Sequence, residues 1–152
     1  MEPLAKEAFA PFGMVLEIPT RTPDLSGEIF LMWLDQADIG LLGERGTIVY
    51  LVNKRRPFVL DRMETHTGLE VFFPVKGESV LAVAPRSENV PKPEDIRFFF
   101  VNTSNPYMIN PYVWHWSTFP LTEEAGFYLL FIKGLPKKDV SEKEISPIKI
   151  DF

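Results

Sequence analysis

An all-β domain, a sandwich or barrel of short strands, is the fold class this sequence predicts, and three observations carry it. The 14 Pro and 9 Gly interrupt the chain too often for long helices, because proline removes a backbone donor and clashes with the preceding turn. Runs rich in β-branched and aromatic residues recur about nine times, roughly 8 to 15 residues apart. Hydrophobic residues make up 45% and aromatic residues 13% of 152 positions, with 13 Phe, which is core material for one domain and too little chain for two plus a linker. A single domain over residues 1–152 follows.

The first element is a short helix over 3–12. Leu4, Ala8, Phe9 and Phe12 fall on one face, Pro3 suits a first turn, and Gly13 can end it. Strands follow over 14–18, 28–34, 47–53, 57–66, 69–73, 79–84, 96–102, 112–119 and 126–133. The segment 85–95 holds three Pro and mixed charge and reads as an exposed loop between strands. Lys54-Arg55-Arg56 is the densest basic run, either a loop charge cluster or an anion site. The tail from Pro136 is polar. Lys137-Lys138 beside Asp139 reads as a solvated turn, and Ser141 with Glu144 has the spacing of a capping box for one C-terminal helical turn.

Charge and cysteine content narrow the partners. Sixteen Lys and Arg against 21 Asp and Glu give a net charge of -5, which lacks the phosphate-neutralising excess of a nucleic-acid binder. With no Cys, disulfides, thiolate metal sites and cysteine nucleophiles are excluded. Neither a signal peptide nor a membrane span is visible, so a cytoplasmic protein with a small-molecule partner and no membrane partner is expected. No dinucleotide or phosphate-loop fingerprint occurs, so no organic cofactor is expected. Ser117 is the only Ser near His115 and lies in no Gly-x-Ser-x-Gly elbow, which disfavours a serine hydrolase.

The two histidines, His66 and His115, each sit at a strand end. In Glu64-Thr65-His66-Thr67-Gly68-Leu69-Glu70 the period of two puts Glu64 and His66 on one face. A tight turn at Thr67-Gly68 would form a hairpin that returns Glu70 across from His66. If the strand of His115 packs beside them, two imidazoles and one or two carboxylates converge, a set suited to Fe, Mn, Ni, Zn or Co. The alternative is two unrelated strand-end histidines with Glu64 and Glu70 facing solvent. The row Phe58, Leu60, Arg62, Glu64, continued by Phe72 after Glu70, turns from apolar to ionisable, and buried charges require a partner or a metal. Arg62 either pairs with Glu64 or binds substrate, Lys76 is a solvated charge or a carboxylate anchor, and Tyr107, Tyr112, Trp114 and Trp116 are candidate pocket aromatics.

Glu64-x-His66-x3-Glu70-x6-Gly77 resembles the first motif of the cupin superfamily, with Glu64 where the first His is usual. His115 matches the His of the second motif, although Asn110, Tyr112 and Phe119 replace its other anchors. The chain is also similar to the ureidoglycolate lyase family of cupins. That likeness rests on residues 4–13 with Val15 and Glu17, on Met63-Glu64-Thr65-His66, on Phe72-Phe73-Pro74-Val75-Lys76-Gly77-Glu78, on Val83-Ala84-Pro85 and on Val113-Trp114-His115. It departs from the family where Glu70 replaces an amide, where the family's Gln-Gly-Val-x-Tyr segment is not recognisable in Ser104-Asn105-Pro106-Tyr107, and where Tyr112 replaces a Gly.

The resemblance implies a cupin-type double-stranded β-barrel, or jelly roll, with short N-terminal and C-terminal helices, and a homodimer in which Phe98-Phe99-Phe100 is a candidate contact. It implies a lyase that cleaves ureidoglycolate, or a related small α-hydroxy acid, to glyoxylate and urea. Glu64, His66 and His115 are the expected catalytic residues. Arg62, Lys76, Tyr112 and Trp114 are expected to bind substrate. A divalent transition metal (Zn, Mn, Fe or Ni) is expected on His66, Glu70 and His115, with Glu64 as fourth ligand or as a base beside the ion. Another metal-dependent cupin enzyme (isomerase, dioxygenase or decarboxylase) and a non-catalytic small-molecule-binding cupin remain as alternatives.

Overall fold

Ser79–Ala84 is apolar at nearly every position, and such a strand is stable only where both of its faces are covered. In the computed structural model, which describes residues 1–16, 20–26, 31–32, 37, 39–40, 43, 46–132 and 140–151, both are. Leu81 and Val83 face one hydrophobic cluster, and Val80, Ala82 and Ala84 face another.

The described strands are β1 (Glu2–Pro3), β2 (Gly13–Val15), β3 (Leu25–Ser26), β4 (Leu31–Met32), β5 (Gly46–Lys54), β6 (Val59–Thr65), β7 (Glu70–Lys76), β8 (Ser79–Ala84), β9 (Arg97–Val101), β10 (Tyr107–Ile109), β11 (Trp114–Pro120), β12 (Glu124–Ile132) and β13 (Ser141–Lys149). Among the described residues one α-helix, α1 (Lys6–Phe9), lies between β1 and β2, and a 3-10 turn spans Pro93–Asp95. A six-stranded sheet runs β1-β9-β8-β11-β6-β13 and a five-stranded sheet runs β2-β10-β7-β12-β5, with β3 and β4 forming a separate pair. The two large sheets enclose a core that includes Phe9, Phe12, Phe99, Tyr107 and Phe127. Phe9 meets Phe99 edge-on at 5.2 Å between ring centroids, an arrangement that suits the ring quadrupoles. A second cluster, with Leu60, Met63, Trp114 and Phe119, covers the other face of the six-stranded sheet. A third, smaller cluster around Leu69, Val71 and Met108 covers the other face of the five-stranded sheet. Two packed sheets in this order form a jelly-roll barrel.

Several elements differ from expectation. The N-terminal helix is confined to Lys6–Phe9 because Glu2 and Pro3 pair in parallel with Phe99 and Phe100 instead. Arg97 holds that register by donating to the Glu2 carboxylate and, at 3.1 Å, to the Ala8 carbonyl. No C-terminal helical turn forms at Ser141, since Ser141–Lys149 is a strand on the edge of β6. A ladder satisfies many backbone groups, whereas one capped turn satisfies few. Pro147 falls in the register shift between Glu144 and Ile148, where no ladder donor is needed. The three-residue β10 was not anticipated. Of the strand expected over 28–34, only Leu31–Met32 is among the described residues, and Glu17, residue 133, Pro136 and the turn at Lys137-Lys138-Asp139 lie outside them.

Gly77, an anchor of the first motif, has φ +75, and a Cβ there would run into the carbonyl of Glu124. Both facts require glycine. Among the described residues no helix is long and apolar enough to cross a membrane.

Candidate metal centre

Three strands and a corner assemble the site. β6 ends at Thr65, so His66 follows the last ladder residue, and the chain then crosses to the other sheet, where β7 begins at Glu70. The expected hairpin at Thr67-Gly68 is therefore absent. β6 pairs with β11 and β13, while β7 pairs with β10 and β12. His66 and Glu70 still meet, across the corner between sheets. β11 brings in His115 directly opposite Glu64, and the amide of Tyr112 donates to the His66 carbonyl at 2.8 Å, fastening the approach to β11 onto the end of β6. Tyr112 does this with φ 66, a left-handed backbone that is uncommon outside glycine and worth attention near a site.

The face expected to run from Leu60 to Glu64 is broken. Leu60 and Met63 both enter the second cluster, and Glu64 lines the barrel interior. The ionisable end of β6 thus faces the site and its apolar end does not.

Both imidazoles are oriented from behind. His66 Nδ1 lies 2.9 Å from the Gly68 carbonyl and His115 Nδ1 lies 2.9 Å from the Val113 carbonyl. A carbonyl only accepts, so each Nδ1 carries a proton, and in the neutral imidazole each Nε2 presents a lone pair. Glu70 Oε2 is 3.4 Å from His66 Nε2 and 3.3 Å from His115 Nε2. The ligand atoms of all three lie within 4.8 Å of one another. The two Glu70–imidazole edges match those of an ion bound at about 2.0–2.1 Å in tetrahedral geometry. Neither Nε2 has a hydrogen-bond partner, although both are fully buried. Orphaned buried acceptors are rare and costly, and two aimed at one carboxylate oxygen fit a metal ion. Glu64 Oε1 stands 3.7 Å from His115 Nε2, outside the group of three.

The charges at the site reinforce this reading. Burial works against ionised Glu70, but attraction from His115 and His66 outweighs it and holds the carboxyl down at about 2. At 3.3–3.4 Å the contacts lack directed hydrogen-bond geometry and become ion pairs when the imidazoles are protonated, as in the metal-free protein at low pH. Burial alone would lower His115, and Glu70 reverses it, so His115 is raised. Glu64 is raised, chiefly by burial. Burial, with the nearby Glu70 charge, also raises Tyr107 well above its ordinary value.

These shifts set a pH dependence for the metal-free protein. Glu70, depressed from 4.5, contributes stability above pH 4.5 that is lost as pH falls toward about 2. His115, raised from 6.5, contributes stability below 6.5 that is lost as pH rises through its folded value. Urea midpoints taken across pH should therefore be highest between about 4.5 and 6.5. In Glu70→Gln both flanks should flatten, and a wild-type profile in that variant would contradict the assignment.

A cavity of about 60 Å³ opens beside the cluster, lined by Glu64, Glu70, His115, Asn53, Thr118 and Tyr107 together with apolar residues of both sheets. That is space for about four waters or part of a small acid. Trp116 also lines it. The other expected substrate residues lie elsewhere. Trp114 alternates with His115 into the second cluster, its indole donating to the Ser87 carbonyl at 3.2 Å. Arg62 is exposed, paired with Glu142 at 2.9 Å and with Asp61. Lys76 is exposed and paired with Glu124. Tyr112 is 40% exposed with the Arg86 guanidinium over its ring. Arg55 and Arg56 donate to the carbonyls of Leu121 and of Ser117 and Thr118, so the basic run ties down β11 and its end.

Asn53 and Thr118, joined by a hydrogen bond of 2.8 Å from the Asn53 amide to the Thr118 hydroxyl, were not singled out in the sequence. They come together from positions 65 residues apart, and no local pattern marks them.

Fold and site together define a cupin, a double-stranded β-barrel with a candidate metal centre of two histidines and a carboxylate. The sequence model described as ureidoglycolate lyase matches residues 1–151. The chain belongs to the ureidoglycolate lyase family. It is 27% identical to a ureidoglycolate lyase of Azotobacter vinelandii, over 88% of this chain and 84% of that one. It is 26% identical to a ureidoglycolate lyase of Escherichia coli, over 91% and 89%. Among solved structures, the 3,4-ketoisomerase QdtA from Thermoanaerobacterium thermosaccharolyticum superposes with a TM-score of 0.51 at 14% identity, over 85% of this chain and 86% of that one. That likeness speaks to the fold alone.

Proposed function

We propose that this protein is a lyase that cleaves ureidoglycolate, or a closely related α-hydroxy acid, to glyoxylate and urea. The observation that carries the reading is the pair of orphaned imidazole nitrogens facing Glu70, with Glu64 beside them on a cavity wall. Membership of the family supports it. His66, Glu70 and His115 would hold the ion, and two imidazoles with one carboxylate favour Zn, Mn, Fe or Ni over Mg or Ca. When bound, such an ion lowers the pKa of a hydroxyl placed against it.

Glu64 takes the hydroxyl proton. Its burial-raised pKa makes it a stronger base than an exposed carboxylate. As the proton leaves, the carbonyl of glyoxylate forms and the carbon-nitrogen bond breaks, and the proton held by Glu64 passes to the departing ureido nitrogen, which leaves as urea and restores the carboxylate. Arg62, Lys76 and Trp114 have no role at the reacting atoms in this reading. Incubating metal-loaded protein with ureidoglycolate should release urea and glyoxylate in equal amounts. No urea above background from folded, metal-loaded protein would redirect the reading to another metal-dependent cupin reaction.

The same reading includes a homodimer, since an exposed edge strand such as β5 calls for cover. Light scattering at micromolar concentration should give about twice 17.4 kDa, and a monomer mass would refute it.

A further inference from the structure

Among the described residues, five buried side-chain atoms lack a hydrogen-bond partner: Thr65 Oγ1, His66 Nε2, Ser79 Oγ, Tyr107 Oη and His115 Nε2. A metal ion accounts for the two imidazole nitrogens. Tyr107 is the remaining member that lines the cavity, and its residue is wholly buried. A buried hydroxyl without a partner is costly enough that native structures rarely keep one. The ring cannot swing away to find a partner. It stacks on Phe72 at 4.8 Å with 6° between planes and meets Phe9 edge-on at 5.9 Å.

Register places this hydroxyl with respect to the metal ligands. On the β10-β7 ladder Ile109 lies opposite Glu70 and Tyr107 opposite Phe72. Residues two apart share a face and are about 7 Å apart along a strand. Tyr107 therefore stands one side-chain step further along the cavity wall from Glu70, a distance that a small acid spans. The cavity's charge makes a neutral donor necessary. Among the described residues its lining contains Glu64 and Glu70 and no Lys or Arg, so a substrate carboxylate meets no Lys or Arg side chain there. The Asn53 amide has one of its two N–H groups committed to Thr118, whereas the Tyr107 hydroxyl has no partner at all.

We infer that Tyr107 is a substrate-binding residue whose hydroxyl donates to a carboxylate oxygen of the α-hydroxy acid. The inference rests on the lyase reading above and adds the group that seats the acid. A hydrogen bond to a charged acceptor is stronger than one between neutral groups, so its loss should be plain in binding.

The test is calorimetric titration of glycolate into zinc-loaded wild type and zinc-loaded Tyr107→Phe. The variant should bind glycolate about 10-fold or more weakly, with the same zinc stoichiometry. Its metal-free thermal midpoint should be equal or higher, because the orphaned hydroxyl is gone. With ureidoglycolate, KM should rise by a similar factor and kcat should change far less. Glycolate affinity within twofold of wild type, in a variant that folds and holds zinc, overturns the inference and leaves the lyase reading standing. If zinc-loaded wild type neither binds glycolate nor releases urea, the lyase reading fails and this inference fails with it.

Discussion

Replacing His66 by alanine should abolish metal uptake while the barrel still folds. His66 is 5% exposed, and its ring is fixed by the Gly68 carbonyl, so its Nε2 is preorganised and has no competing partner. Removing it leaves His115 and Glu70, two ligands where first-row ions held by proteins ordinarily have three or more. The fold does not depend on this side chain to the same degree. His66 lies beyond the end of β6, outside the three hydrophobic clusters, and its carbonyl, which anchors the Tyr112 amide, is retained in the variant. Elemental analysis of protein purified without a His tag should fall from about one ion per chain to near zero, with an unchanged strand-type circular dichroism spectrum. Unchanged stoichiometry in a folded variant would remove His66 from the site.

Changing Glu64 to glutamine should cost turnover about 10²-fold or more, the scale of a lost general base. The amide keeps the size of the carboxylate and one acceptor oxygen but cannot take up the hydroxyl proton. Glu64 is well placed for that role. Its side chain is 27% exposed, beside His115 and on the cavity wall, and burial raises its pKa toward the working range of a base. KM should move much less, because the carboxylate acts on the proton in flight more than on the bound ground state. Metal content discriminates between the two roles open to Glu64. Full occupancy with lost turnover identifies a base, whereas a parallel fall in metal affinity identifies a fourth ligand.

Parts of this were legible in the sequence because their causes are local. The doubly buried β8 follows from an uninterrupted apolar run, and its observed bounds, Ser79–Ala84, are those expected. His66, Glu70 and His115 stood out as the only two histidines and a carboxylate at cupin spacing, and the structure places the three together. The means of that meeting was not legible. A Thr-Gly step reads the same whether it closes a hairpin or carries the chain to a facing sheet, and here it precedes a crossing. β13 was hidden for a related reason. Its register matches Ser141 with Thr65, a partner far away in sequence, while the capping-box spacing at Ser141 and Glu144 is local and points to a helix. Arg62 illustrates the limit of strict alternation. Counting by two from Glu64 aims it at the site, yet the face row breaks between Leu60 and Met63, and Arg62 spends its charge on Glu142 and Asp61. Tyr107 was visible as an aromatic. Its unpaired hydroxyl becomes apparent only once Phe72 and Phe9 fix the ring.

The roles assigned to Glu64 and Tyr107 depend on the ion being held by His66, Glu70 and His115. X-ray absorption at the metal edge of loaded protein addresses that assignment most directly. Two imidazole nitrogens and at least one carboxylate oxygen at about 2.0–2.2 Å, with the imidazole signal halved or lost in His115→Ala, is the expected result. A shell without imidazole scattering, or one unchanged by His115→Ala, would contradict the account.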